Sequence, residues 1–249
     1  MLTRLDHLVV LVHDLDLASA DYESLGFTVT PGGEHADGLT RNALVPFEDG
    51  SYFELVSFLD PDEPADNFWG WRRFLPYEGP IDYCAASDDL DSDAGRLGSL
   101  DFFVDGPDEG GRRLPDGGEI RWRNARIRQE GRLLPFLIED LTPRELRVPG
   151  GAAASHPNGA TGVSRLEISA PDARRAVSQL SALADVTSGM ETLVRLGDCV
   201  LSPVAMEMGD VKGPGPSAVE LVGAEPGVSR RLDPVLAHGV GIRLRPSAG

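Results

Sequence analysis

Short apolar runs, separated by polar, glycine-rich and proline-rich segments, divide this chain into a repeated unit. The segment His7–Asp16 starts as an apolar strand and ends on Asp-Leu-Asp, and Asp82–Asp91 has the same length and the same ending. Arg165–Arg174 keeps the strand and one aspartate at the corresponding position. Self-similarity along a chain is typical of a modular fold. The sequence therefore predicts three copies of one structural unit.

Each copy continues in the same way after its first strand. A helical stretch follows, with an aspartate (Asp14, Asp89 or Asp172) placed to cap its amino terminus. Runs rich in Val, Ile, Phe and Leu come next and predict further strands. In the first copy these are Gly26–Thr30, Leu39–Phe47 and Ser51–Phe58. The predicted fold class is α+β, built from tandem βαβββ modules.

The linkers suggest how the modules are grouped. Residues 4–60 and 80–148 form two modules of one domain, 1–148, and a glycine-, alanine- and proline-rich connector leads to a third module in 160–249. We expect Ser217–Gly223 to be the last strand of this third module, with a C-terminal strand at His238–Leu244. Three modules leave one unpaired, so the third pairs either across a homodimer or with the C-terminal strand.

The net charge of the chain limits the classes of partner that it can bind. The 249 residues contain 40 acidic and 23 basic side chains, a formal net charge of −17. Nucleic-acid binding needs clustered Lys and Arg, so this composition argues against nucleic acid and against membrane surfaces. Apolar runs are far shorter than the roughly 20 residues of a transmembrane helix. We expect a cytoplasmic protein with a small-molecule ligand.

The two cysteines and two of the histidines are not candidates for a functional site. Cys84 and Cys199 lie far apart outside any metal-binding motif, and we interpret both as buried free thiols. His156 and His238 have no neighbouring motif and are interpreted as loop residues.

The modular pattern resembles the vicinal oxygen chelate superfamily, which includes glyoxalases, extradiol dioxygenases and bleomycin-resistance proteins. The segments that carry this resemblance are Leu5–Val12, Asp21–Val29 and Tyr52–Val56. More narrowly, the chain is similar to the glyoxalase-like domain family in Pro31–His35, Asn42–Leu44 and Leu134–Glu139. The resemblance implies that two modules pair into a curved half-barrel of mixed sheet around a cavity, which holds a divalent metal.

The resemblance also implies where the metal ligands lie. His7 occupies the first-strand position and Glu54 the last-strand position of the first module, and Asp82 is the equivalent of His7 in the second. Leu137, which we align with Glu54, cannot bind metal. A histidine and carboxylates suit Fe²⁺, Mn²⁺, Zn²⁺ or Ni²⁺. Because one expected ligand is missing, a relic site without metal is the alternative.

Glu54 is the candidate catalytic residue. A carboxylate between Phe53 and Leu55 is expected to be buried, which is costly unless it is paired or bound. Burial would raise its pKa and suit it to act as a general base.

Four further residues are candidates for substrate binding. His35 lies in a glycine-rich loop that could line the cavity mouth, and Arg41 and Asn42 could hold a substrate carboxylate or carbonyl. Trp122 alternates with two arginines on one strand, so either the tryptophan or the arginines line the cavity of the second module.

Three functions follow from these residues. The leading hypothesis is a metal-dependent lyase or isomerase of glyoxalase type, acting on a small oxygenated substrate in a cavity lined by His7 and Glu54. A metal-free small-molecule binding protein of the bleomycin-resistance kind is the first alternative. An extradiol-type dioxygenase is the second, and it ranks lower because that chemistry uses two histidines and a carboxylate, whereas only His7 is in place.

Overall fold

The computed structural model describes residues 1–113, 118–184, 193–206, 212–223, 227 and 229–246. The first module contains β1 (Leu2–Leu11), α1 (Leu15–Ser24), β2 (Thr30–Glu34), β3 (Thr40–Pro46) and β4 (Tyr52–Phe58). The second contains β5 (Gly79–Ser87), α2 (Leu90–Ser99), β6 (Val104–Arg113), β7 (Glu119–Ile127) and β8 (Phe136–Asp140). The predicted βαβββ order is therefore confirmed in both modules.

The rest of the chain repeats this order less completely. After the short helix α3 (Arg144–Arg147), the described elements are β9 (Ala160–Ala170), α4 (Ala173–Leu183), β10 (Val194–Leu196), β11 (Cys199–Ala205), β12 (Gly215–Gly223), β13 (Arg230–Arg231) and β14 (Gly241–Arg245). The predicted α+β fold class, with mixed parallel and antiparallel sheets, is confirmed. None of the helices in the described part of the chain is long and apolar enough to cross a membrane.

The three predicted caps start their helices. The Asp14 carboxylate accepts the backbone N–H groups of Asp16 and Leu17, each at 3.0 Å. Asp89 accepts Ser92 N–H at 3.0 Å, and Asp172 caps α4 in the same way. Each carboxylate satisfies backbone donors that have no partner within the helix and complements its positive end.

Contacts divide the chain into two compact units. Unit A comprises His7–Ile81, Val148–Ser164 and Ser217–Gly249. Unit B comprises Met1–Asp6, Asp82–Arg147 and Arg165–Pro216. The proposed grouping into 1–148 and 160–249 stays a prediction about the sequence modules.

In unit A the first module forms a sheet of strand order β2-β3-β4-β1. Strand β4 runs parallel to β1 and antiparallel to β3. Helix α1 covers one face, where the ring centroids of Tyr22 and Phe53 are 6.4 Å apart. Strand β12 pairs in parallel with β14, which pairs with β13.

In unit B, β5 and β8 are parallel, and β8, β7 and β6 are antiparallel neighbours. Strand β11 lies parallel to β9, the position that β4 takes beside β1. The last strand of the third module is therefore β11. The segment Ser217–Gly223 is a strand, as predicted, but it pairs with β14 in unit A. The sequence pattern identified this strand, and its partner is the C-terminal strand that was one of the two predicted alternatives.

The strand register also corrects the alignment of the second module with the first. Val9 lies opposite Glu54 in the first module, and Cys84, the equivalent of Val9, lies opposite Phe136. Phe136, and not Leu137, therefore occupies the position of Glu54. The difference of one residue reverses the face, because side chains alternate along a strand.

Candidate functional site

The candidate site lies on one face of the first-module sheet. His7 lies opposite Tyr52 and Val9 lies opposite Glu54 in the parallel pair of β1 and β4, so the side chains of His7 and Glu54 share a face. Asn42 lies opposite Val56, two residues beyond Glu54 on the same face. Phe53 points the other way, toward α1. We call the face opposite α1 the site face.

Glu54 is the centre of this site. One carboxylate oxygen, Oε2, lies 3.4 Å from Nε2 of His7. The other, Oε1, lies 3.1 Å from Nε2 of His35 and accepts a hydrogen bond of 2.6 Å from Nδ2 of Asn42. Glu54 is 6% exposed. The buried carboxylate is thus held between two imidazoles and an amide.

His35 reaches Glu54 from the connection between β2 and β3. Its backbone N–H donates to the carbonyl of Thr40 at 2.9 Å, which closes the connection. Its ring Nδ1 lies 2.6 Å from the hydroxyl oxygen of Thr40. Its side chain is 29% exposed, against 4% for His7. His35 is therefore the more accessible of the two imidazoles.

The other imidazole is fixed by packing. The His7 ring stacks on Tyr52, with the centroids 4.6 Å apart and the planes 25° from parallel. Tyr52 in turn forms a buried cluster with Leu44 and Val148. An aromatic pair of this geometry fixes the ring orientation beyond simple area burial.

Gly32, which has no side chain, makes room for Asn42. A Cβ at Gly32 would lie 1.9 Å from Oδ1 of Asn42, far closer than any real contact. Strand β2 can therefore pass beside the Asn42 side chain only because residue 32 has none. The glycine allows Asn42 to reach Glu54.

The pKa of Glu54 corrects one prediction. Burial by itself would raise this pKa, as expected from the sequence, but hydrogen bonds and charge from His35 and His7 oppose burial and hold the pKa well below the ordinary 4.5. Glu54 is therefore ionised at neutral pH. A carboxylate of low pKa is a weak base but a good anion for holding imidazoles or a cation.

Arg41 is not brought to this site. Neighbouring side chains on a strand point to opposite faces, so Arg41 lies on the α1 side while Asn42 faces Glu54. Its guanidinium pairs with Asp16 at 3.3 Å.

The remaining two candidates belong to unit B. The carboxylate of Asp82 lies 3.1 Å from Nε of Arg132, and both side chains are buried. Trp122 lies opposite Asp140, whereas Arg123 lies opposite Glu139 and pairs with Asp91 of α2 at 2.7 Å. Trp122 therefore points away from α2. The roles of Asp82 in metal binding and Trp122 in substrate binding stay predictions.

Sequence reasoning missed three residues that shape the site. Thr40, Gly32 and Tyr52 contact His35, Asn42 and His7 respectively. The signal for Gly32 was visible, since it lies in a motif noted for the family, but its steric reason depends on the pairing of β2 with β3. The interpretation of His35 as a residue of the cavity mouth placed it near the site without predicting its contact with Glu54.

Comparisons with known proteins agree with this fold. Residues 5–184 match the model of the glyoxalase-like domain family. No curated protein matches the sequence. The chain is similar to the crystal structure of a hypothetical protein from Staphylococcus aureus, with a TM-score of 0.74 and 16% identity over 98% of this chain and 99% of that chain.

Two enzyme structures are also similar. A variant of 4-hydroxymandelate synthase from Streptomyces coelicolor has a TM-score of 0.62 and 14% identity, over 100% of this chain and 94% of that one. A fusion of a xylose isomerase-like TIM barrel with 4-hydroxyphenylpyruvate dioxygenase has a TM-score of 0.55 and 14% identity, over 91% of this chain and 37% of that one. At these identities the likeness concerns the fold alone.

Proposed function

Because the chain belongs to the glyoxalase-like domain family of the vicinal oxygen chelate superfamily, we propose that it is a metal-dependent isomerase or lyase acting on a small substrate with two adjacent oxygens. One observation carries this proposal: an ionised, buried carboxylate is held between two imidazoles on one face of the sheet. Such a site combines a fixed negative charge with imidazoles, a type of side chain that serves as general acid or base.

The donor set fits the divalent metal that the superfamily implies. His7 Nε2 and Glu54 Oε2 are 3.4 Å apart, a separation that two ligands of one ion can have at bond lengths near 2.1 Å. Nitrogen and oxygen donors together suit Fe²⁺, Mn²⁺, Zn²⁺ or Ni²⁺. His7 and Glu54 would hold the ion. When bound, the ion would supply a Lewis acid for the substrate oxygens.

Four side chains of the site have separate roles in the proposed reaction. Glu54 keeps its negative charge because of its low pKa, and Asn42 holds its Oε1 by a 2.6 Å hydrogen bond. The packing of His7 on Tyr52 fixes that ring. His35, the more exposed imidazole, is the proton carrier. A proton leaves the hydroxyl-bearing carbon beside a substrate carbonyl for His35 Nε2, and the electron pair moves to the carbonyl oxygen. The hydroxyl proton passes to that oxygen, the hydroxyl oxygen becomes the new carbonyl, and return of the proton from His35 to the former carbonyl carbon completes an isomerisation.

A second candidate function is the extradiol-type dioxygenase. From the sequence this reading lacked a second histidine near the carboxylate, and the structure places Nε2 of His35 at 3.1 Å from Glu54. Two histidines and one carboxylate are the donor set of non-haem Fe²⁺ oxygenases. In this reading His35 is a metal ligand and not a proton carrier, so the role of His35 distinguishes the two functions.

Metal titration of two variants and a control tests both functions. Mn²⁺, Fe²⁺, Zn²⁺ and Ni²⁺ are titrated into the wild type, Glu54→Gln, His35→Gln and the control Arg41→Ala, with stoichiometry by elemental analysis and affinity by calorimetry. The isomerase predicts that Glu54→Gln loses binding while His35→Gln keeps it. The dioxygenase predicts that His35→Gln also loses binding, by at least about tenfold.

Turnover is measured in parallel. Small α-hydroxycarbonyl and dicarbonyl compounds are incubated with metal-loaded protein in D₂O, and NMR follows deuterium entry at the carbon beside the carbonyl. We expect exchange with the wild type and Arg41→Ala, and none with His35→Gln. Tight ligand binding without exchange, and without metal, would instead support the binding protein of the bleomycin-resistance kind.

A further inference from the structure

The second module carries a half-buried tryptophan on the face of β7 that points away from α2. Trp122 lies opposite Gly110 of β6 in the antiparallel register, and both belong to unit B. A Cβ at Gly110 would lie 2.6 Å from Nε1 and 3.1 Å from Cε2 of the indole, so the ring packs directly over the glycine. The absence of a side chain at residue 110 therefore gives the indole its place on the sheet.

Asn124 lies two residues further along β7, so its side chain is on the same face as the indole. It lies opposite Ile138 of β8, two residues beyond Phe136, which occupies the position of Glu54. Asn42 has the same place relative to Glu54 in the first module. Asn124 is therefore the counterpart of Asn42.

The two asparagines differ in what holds their amides. Asn42 donates to the carboxylate of Glu54, whereas the residue at that position beside Asn124 is a phenylalanine. Asp108, which is exposed, lies opposite Asn124 on β6. Among the residues that the structure describes, the side chains of Trp122, Asn124 and Asp108 form no hydrogen bond or ion pair with one another or with other residues. One face of β6 and β7 thus presents an indole, an amide and a carboxylate.

Other charged groups on this face are already neutralised. Arg126, the next residue of β7 on the same face, pairs with Asp105 at 3.4 Å. Asp140, which lies opposite Trp122 on β8, pairs with Arg147 at 2.6 Å. The face therefore favours a neutral ligand that combines a flat ring with hydrogen-bonding groups.

We propose that this face of unit B is a binding site for a small planar aromatic molecule that carries an amide group. The ring of the ligand stacks on the indole of Trp122, an arrangement that aromatic groups prefer. The side chain of Asn124 has an acceptor and a donor side by side, so it pairs with the N–H and the carbonyl of an amide. Asp108 accepts the second N–H. The site consists of residues of unit B and does not rest on the proposed function.

The test is a titration with benzamide, compared with acetophenone, which lacks the N–H groups, and acetamide, which lacks the ring. NMR follows the indole N–H signal of Trp122 and, from the ligand side, the affinity of each variant. The variants are Trp122→Leu, which also assigns the signal, Gly110→Ala and Asn124→Ala. Arg121→Gln is the control, because that side chain lies on the other face of β7 in an exposed ion pair with Glu109. Thermal unfolding confirms the fold of each variant.

We expect benzamide to move the Trp122 signal in the wild type and in Arg121→Gln. Acetophenone and acetamide should bind at least about threefold more weakly. Trp122→Leu should weaken benzamide binding about tenfold, and so should Gly110→Ala, whose added Cβ displaces the indole. Asn124→Ala should weaken it about threefold to tenfold.

An unmoved Trp122 signal in the wild type overturns the proposal, as does equal affinity for benzamide and acetophenone. Wild-type affinity in Trp122→Leu has the same meaning, and Gly110→Ala replaces that variant if it does not fold. Glu54→Gln should bind benzamide as the wild type does. A failure of the proposed function at Glu54 therefore leaves this result unchanged.

Discussion

Two buried acids, one in each unit, show how the partner of a carboxylate decides its use. Glu54 in unit A is 6% exposed and is held by His7, His35 and Asn42. Asp82 in unit B is 2% exposed and is paired with Arg132. A guanidinium stays protonated at all working pH values, whereas an imidazole gains and loses a proton near neutrality. The first partner set is suited to chemistry, and the second to permanent neutralisation.

The largest effect on stability is expected from removing the guanidinium of Arg132. Arg132→Met leaves the Asp82 carboxylate buried without this partner, and we expect the free energy of unfolding to fall by about 3–5 kcal/mol. Urea denaturation at pH 7 measures the loss. The double variant Asp82→Asn with Arg132→Met is the control and should recover part of it. A loss below about 1 kcal/mol in the single variant would mean that the pair is not the main partner of Asp82.

The second effect tests the charge of Glu54. Glu54→Gln exchanges charged hydrogen bonds for neutral ones, and we expect a loss of about 1.5–3 kcal/mol at pH 7. Because the folded-state pKa of Glu54 is lowered, its contribution is full above the ordinary pKa of 4.5 and is lost as the pH falls through the folded-state value. Urea unfolding at pH 7 and in steps below pH 4.5 should show the wild type and the variant converging. A constant gap would contradict the lowered pKa.

The third prediction concerns Gly32, which leaves space for the side chain of Asn42. Gly32→Ala places a Cβ against Asn42 Oδ1, and we expect a cost of about 1–3 kcal/mol together with weaker metal binding. Adding Asn42→Ala should relieve the clash but not restore metal binding. Gly95→Ala is the matched control, since its added Cβ would meet no described atom within 4 Å beyond its chain neighbours and the backbone of its own helix, and it should leave stability unchanged or slightly raised.

The smallest expected effect is that of replacing Arg41, which lies outside the candidate site although its neighbour Asn42 is part of it. Its ion pair with Asp16 is exposed, with 38% and 84% of the two side chains accessible. Arg41→Ala should change stability by less than about 0.5 kcal/mol and leave metal binding as in the wild type. Calorimetry of both quantities checks this. A tenfold loss of metal affinity would return Arg41 to the candidate site.

The periodic features of the fold could be predicted from the sequence. Apolar runs predicted β1 and β4, and aspartates predicted the caps of α1, α2 and α4. The family resemblance implied that His7 and Glu54 meet at one site, and the structure finds them 3.4 Å apart. These features depend on neighbours within a few residues, or on a motif shared with a family. Their physics is local, so one sequence suffices.

Contacts that depend on strand register or on a folded connection could not be predicted. The hydroxyl of Thr40 contacts His35 only because the connection after β2 closes there, and Arg132 contacts Asp82 from 50 positions further along the chain. The direction of the pKa shift of Glu54 was missed for the same reason, since it depends on both imidazoles.

Two histidines interpreted as loop residues without partners show the same limit. His156 accepts the backbone N–H of Thr28 at 2.9 Å and lies 2.8 Å from the carbonyl of Pro46, and burial lowers its pKa below 6.5. His238 lies between Glu78 at 3.0 Å and Asp21 at 3.2 Å. All of these partners are distant in sequence, and no pattern around either histidine indicates them.

The order of segments in unit A has a consequence for biosynthesis. The site residues lie between His7 and Glu54, near the start of the chain, whereas β12 and β14 of the same unit end at Gly223 and Arg245. A ribosome therefore makes the whole of unit B before unit A has its last strands, and contacts between distant segments form slowly. The segment that contains the candidate site is therefore synthesised well before the strands that complete its unit.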